Sequence, residues 1–163
     1  MRNTMRQIFL VAIAIMIIAL LGLFLNGYGQ TGKSRAANPA VPLAQQPLFT
    51  EYKGVKLGME AQVVRAKLGD PVLKDEAMDY YIFPDGVSAQ VVYDATHKAR
   101  TISVDYAAGT TPPDYREVVG AEVETHPDGS VYKIIRYESL GFWVSYNRTA
   151  GPVITVTITI QKI

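Results

Sequence analysis

The sequence predicts an α+β fold. An N-terminal transmembrane helix and a linker lead into two tandem helix-plus-three-strand units. These join in one antiparallel sheet with the helices on one face. Three observations predict it. Eighteen consecutive residues, Ile8 to Leu25, carry no charge. Gly54 to Pro71, GVKLGMEAQVVRAKLGDP, reads as a short strand, a glycine, an amphipathic helix and a hard stop. Downstream, alternating apolar and polar runs recur between turn residues.

The apolar run, IFLVAIAIMIIALLGLFL, would span roughly 27 Å as a helix, close to the hydrocarbon thickness of a bilayer. A core helix of a soluble domain would show a polar face, and this run has none. Signal peptides have apolar regions of about 7–15 residues ending just before a small-x-small site. Here Ser34-Arg35-Ala36 lies 11 residues beyond Leu25, with Gly27-Tyr28-Gly29 as a nearer site. The expectation is an uncleaved signal-anchor within residues 1–29. The alternative is a cleaved signal and a secreted or periplasmic protein. Arg2, Arg6 and the terminal amine make the short tail the more basic side. The tail should stay in the cytoplasm, leaving a single-pass protein of the inner membrane with its domain outside. Residues 30–47, QTGKSRAANPAVPLAQQP, have no periodicity and read as a flexible linker of roughly 23 Å reach.

Residues 48–163 remain for the folded part, enough for one domain with its own core. The formal charge of +1 conceals an asymmetry. From Leu48 onward there are 12 Lys and Arg against 15 Asp and Glu, a net charge near −3. Nucleic-acid binding draws on clustered cations, so no nucleic-acid partner is expected. The absence of cysteine excludes disulfides, thiolate metal sites, a cysteine nucleophile and lipidation at an N-terminal cysteine.

Within Gly54–Pro71, Leu57, Ala61, Val64 and Leu68 form one apolar stripe at helical spacing, while Glu60, Arg65 and Lys67 lie on other faces. Gly69 sits where a left-handed residue ends a helix, and Pro71 cannot continue one. Strands follow at Tyr80–Phe83, Val87–Tyr93 and Arg100–Tyr106, joined by hairpin-length turns. Thr111-Pro112-Pro113-Asp114 opens a second helix, with Thr111 as the expected N-cap and Gly120 as its stop. Strands are again expected at Val131–Tyr137, Gly141–Tyr146 and Val153–Lys162. Helix then three strands thus occurs twice, over 48–109 and 110–163, with Gly69 and Gly120 as matching stops.

No residue pattern calls for catalysis, a cofactor or a metal. His97 and His126 fall in separate loops without ligand-spaced partners. Asp70, Asp79, Asp85 and Asp94 could be imagined as paired acids, but three of them sit beside Gly or Pro or at a strand end, where Asp stabilises turns. The aromatic residues say more. If Phe142, Val144 and Tyr146 face the helices, Trp143 faces the opposite side of the sheet. Tyr132 shares a face with Ile134 and Arg136. Trp, Tyr and Arg dominate binding hot spots, so Trp143, Tyr132 and Arg136 form the candidate protein-binding face.

Leu57-Gly58-Met59, Val64 and Leu68-Gly69-Asp70-Pro71 resemble the motif of the SmpA/OmlA (BamE-like) lipoproteins of outer-membrane assembly. The wider group is that of the β-lactamase-inhibitor proteins. The resemblance covers Gly54 to about Tyr106 and implies a helical layer on an antiparallel sheet, with Leu57, Gly58, Val64, Leu68, Gly69 and Pro71 as its structural motif. The chain departs from the lipoproteins in lacking their lipidated cysteine and in having Glu60 where they place Ser or Thr. Two functions follow. The first is a membrane-tethered envelope module that binds or assembles another envelope protein. The second is an inhibitor or sensor domain that captures a soluble protein or small ligand.

Overall fold

Strands dominate the described residues. The computed structural model describes residues 46–163 apart from residue 121, all within the unit Pro42–Ile163. The anchor expected at Ile8–Leu25 and the linker as far as residue 45 lie outside the described residues. Among the described residues no helix is long and apolar enough to cross a membrane.

In chain order the elements are β1 (Glu51–Tyr52), β2 (Val55–Lys56), α1 (Ala61–Leu68), β3 (Leu73–Lys74), β4 (Met78–Ile82), β5 (Val87–Tyr93), β6 (Ala99–Tyr106), α2 (Tyr115–Val119), β7 (Val131–Tyr137), a 3-10 turn (Glu138–Leu140), β8 (Phe142–Arg148) and β9 (Val156–Lys162). β1 and β2 make a separate hairpin. The other seven strands form one antiparallel sheet in the order β3-β4-β5-β6-β9-β8-β7. The six longer strands start and end within about three residues of the sequence reading, as strong period-2 alternation allows.

The expected fold class is overturned. Among the described residues the structure is mostly β, with two helices of eight and five residues that make no continuous layer. Two physical causes shorten them. Leu57 precedes α1 instead of sitting on it, because Gly58 and Met59 are engaged with β6: the Gly58 N–H donates to Ala99 at 2.7 Å and the Ala99 N–H to Met59 at 2.8 Å. At α2, residues that precede proline are driven out of the helical region, so Thr111-Pro112-Pro113 cannot begin the helix. Asp114 is the N-cap instead, its carboxylate accepting from the Arg116 N–H while Glu117 accepts from the Asp114 N–H.

One sheet face carries the core. On β5, Val87, Ala89, Val91 and Tyr93 are buried, and on β9 so are Val156, Ile158 and Ile160. Register aligns them into rows, such as Val91, Ile102, Ile160, Val144 and Ile135 across five strands. Val64 of α1, Val118 and Val119 of α2, and Tyr52 and Val55 of the hairpin belong to the same buried cluster. Leu57 and Leu68 pack against it only partly buried. The hairpin therefore covers core that a helical layer was expected to cover.

The helix boundaries are tertiary. Glu60 occupies the N-cap of α1 without a side-chain capping bond. The cap comes from the β5–β6 turn, where the His97 carbonyl accepts from the Ala61 N–H at 3.0 Å. His97 can do so because it holds φ +56°, in a turn organised by Asp94 Oδ1 accepting from the Thr96 and Lys98 N–H groups. At the other end Gly69 takes φ +86° and ψ −162°, a positive-φ stop outside the left-handed helical region.

Candidate functional site

The face opposite the core is where the sequence reading looks for binding. Its middle is a strip of small polar side chains that satisfy one another. Ser103 and Thr159 share a hydrogen bond at 3.0 Å, Thr101 donates to Gln161 at 3.3 Å, and Thr157 donates to Asp105 at 2.6 Å. Burial raises the Asp105 pKa, and the Thr157 bond opposes that rise. Ser103 is itself buried and these hydrogen-bonding groups are spent on one another, which leaves little to offer a ligand.

The β7–β8 flank is different. Trp143 points to this face, out of phase with buried Val144 and half-buried Phe142, and its register neighbours are Arg136 on β7 and Gln161 on β9. Tyr132 and Ile134 continue the same face along β7, Tyr132 being 53% exposed and Arg136 exposed. Strand phase thus brings all three candidate residues, Trp143, Tyr132 and Arg136, to one flank. Trp143 itself is half-buried, since cross-strand neighbours shield part of its ring. β4 edges the far side of the strip with Met78, Tyr80 and Ile82.

A second constellation went unseen in the sequence. Asp79 is in phase with Tyr81 on the core side of β4, beside Val91, and is 0% exposed. Arg65 of α1 grips its carboxylate with both ends of the guanidinium, Nε to Oδ2 at 2.8 Å and Nη2 to Oδ1 at 2.9 Å. The Tyr93 hydroxyl donates to Oδ2 at 2.6 Å and the Tyr81 hydroxyl at 3.3 Å. The hydrogen bond to Asp79 raises the Arg65 pKa. Burial, aided by the neighbouring carboxylate, pushes Tyr81 up to about 12 and raises Tyr93 as well. Both carboxylate oxygens accept at least one hydrogen bond. The cluster pins helix to sheet. The signal was present in an acid at an inward strand position with one arginine on the neighbouring helix, and period-2 phasing of Asp79 would have found it. The other three acids do shape turns or lie in loops: Asp85 accepts from the Val87 N–H, Asp94 organises the β5–β6 turn, and Asp70 follows α1.

Arg65 also lines a cleft of ≈ 850 Å³ between α1, the β3–β4 connection and the β5–β6 turn. Its other walls include Glu60, Lys74, Asp75, Glu76 and His97, so it is open and polar. Among the described residues no group of three or more His, Cys, Asp or Glu is arranged to hold a metal ion.

No family model matches the chain, and no curated protein matches it. The resemblance to the SmpA/OmlA lipoproteins therefore rests on its motif residues alone. Among solved structures, a DUF4309-family protein (YjgB) from Bacillus subtilis is similar at 12% identity, over 68% of this chain and 84% of that one, with a TM-score of 0.43. A likeness at that level carries no argument about function.

Proposed function

We propose that this chain is a non-catalytic protein-binding module, tethered to the membrane through Ile8–Leu25, that docks another envelope protein on the β7–β8 flank of its open sheet face. The observation that carries the reading is the company Trp143 keeps: a half-buried indole beside Arg136 and in line with Ile134 and exposed Tyr132, on a face whose centre is otherwise short and polar. A large aromatic held rigid by its strand neighbours, next to an arginine, has the composition of a hot spot. The partner surface that fits is an apolar knob for the indole, with a carboxylate for Arg136. The alternative, capture of a small ligand, has less behind it, because the cleft beside α1 is walled mainly by charged and polar side chains and is not an apolar pocket between helix and sheet.

The test pairs binding with folding. A photo-crosslinker at Tyr132 in intact envelopes should give one discrete adduct, lost on Trp143→Ala and on Arg136→Glu. Trp143→Ala should weaken binding by about 2 kcal/mol or more while leaving thermal unfolding nearly unchanged. An unchanged adduct in a well-folded Trp143→Ala variant refutes the proposal. A large loss of stability would instead make Trp143 a structural residue.

A further inference from the structure

A different surface lies at the end of the sheet where the chain enters the domain. There Leu57, Leu140, Phe142 and Ile160 line a cleft of ≈ 340 Å³ flanked by Lys56 and Lys162. Thr50 lines the same cleft, two residues after Leu48. Beside it the Ile163 N–H donates to Gly141 at 3.0 Å, which holds Ile163 next to Leu140. Two large apolar side chains from separate segments are exposed here, Leu140 at 57% and Ile163 at 62%. The two lysines already face carboxylates, Lys56 to Glu51 at 3.1 Å and Lys162 to Asp94 at 3.7 Å.

We propose that this end of the domain rests on the lipid bilayer, with Leu140 and Ile163 entering the headgroup region. The inference depends on reading Ile8–Leu25 as a membrane anchor. On that reading 22 residues, roughly 26 Å root-mean-square as a coil, separate Leu25 from Leu48, so the tether joins the domain at this corner. Exposed leucine and isoleucine supply the apolar depth of an interfacial contact, and lysine stems can lie along it with their charges at headgroup level. Because the lysine charges are locally paired, the contact does not call for anionic lipid.

The absence of cysteine makes the test clean, since one introduced thiol is the only label site. Full-length Leu140→Cys and Val153→Cys chains, each carrying an environment-sensitive fluorophore, are reconstituted into phosphatidylcholine vesicles with ordinary or brominated acyl chains. Val153 is equally apolar and 64% exposed, but it lies in the β8–β9 loop at the opposite end of the sheet. Brominated lipid should quench the label at 140 at least about twofold more than the label at 153, with little change on adding salt or anionic lipid. Equal quenching, or stronger quenching at 153, overturns the proposal. Protection of the 140 label in envelopes but not in protein-free vesicles overturns it too, in favour of a protein contact. A chain that does not float with vesicles defeats the anchor reading along with this one, whereas a floating chain with an unquenched 140 label defeats this one alone.

Discussion

Replacing Arg65 by Met separates the buried ion pair from the packing around it. Methionine keeps most of the aliphatic stem but loses the guanidinium, whose carbon lies 5.9 Å from the Tyr93 ring centroid. What goes is the pair of charge-assisted hydrogen bonds at 2.8 and 2.9 Å. The Asp79 carboxylate, 0% exposed, is then left with only the Tyr93 and Tyr81 hydroxyls. Stranding one member of a buried pair costs about 3–5 kcal/mol, a large part of the roughly 5–15 kcal/mol that holds a domain folded. The reverse change, Asp79→Leu, strands an arginine that is 24% exposed and can turn to water, and takes the acceptor from the Tyr93 and Tyr81 hydroxyls. With no buried charge left unpaired it should cost less, about 1–3 kcal/mol. The Arg65→Met/Asp79→Leu double variant should be more stable than Arg65→Met alone, because the uncompensated charge is gone. Urea titrations followed by far-UV circular dichroism and by fluorescence of the single tryptophan give all four corners of the cycle. A loss under about 1 kcal/mol for Arg65→Met, or strict additivity in the double variant, would refute the account of a helix pinned by its ion pair.

On α1, Val64→Ala should cost about 2 kcal/mol, since Val64 is fully buried. Leu68→Ala should fall at or below the low end of the usual 2–5 kcal/mol because Leu68 is only half-buried; denaturant midpoints check the order. Tyr137→Phe should leave stability unchanged or slightly raised in a thermal melt, because the Tyr137 hydroxyl is buried without a hydrogen-bond partner. Alkaline pH should unfold the domain. The folded-state pKa values of Tyr81 and Tyr93 lie above the ordinary value near 10, so the folded chain holds protons that the unfolded chain releases. Their contribution is fully present below about pH 10 and is lost as pH rises through about 12 for Tyr81. Tyrosinate absorbance should therefore appear together with loss of circular dichroism, and smooth titration at the ordinary tyrosine pKa in a folded protein would count against it.

The strands were legible because alternation is a local property. Ile158 and Thr159 point to opposite faces whatever else the chain does, and the same phasing sends Trp143 away from Val144. Stops were legible for a similar reason, since Gly69 and Gly120 adopt positive φ at little steric cost. The helices were over-read. An apolar stripe through Leu57, Ala61, Val64 and Leu68 fits a helix on paper, yet Gly58 and Met59 spend their backbone groups on Ala99, 40 residues or so downstream.

Alone, the sequence determined where the six longer strands run, the two faces of the sheet, the near-neutral to acidic charge of the folded part and the lack of thiol chemistry. Each of these depends on residue type and spacing within a few positions. Only the tertiary structure decided that the hairpin of Tyr52 and Val55 covers the core, that the His97 carbonyl caps α1, and that Asp79 is a buried anchor for Arg65. Those depend on which distant backbone groups and charges find one another when the sheet closes. A hydrogen bond or ion pair between residues far apart in sequence leaves no periodic trace in the chain.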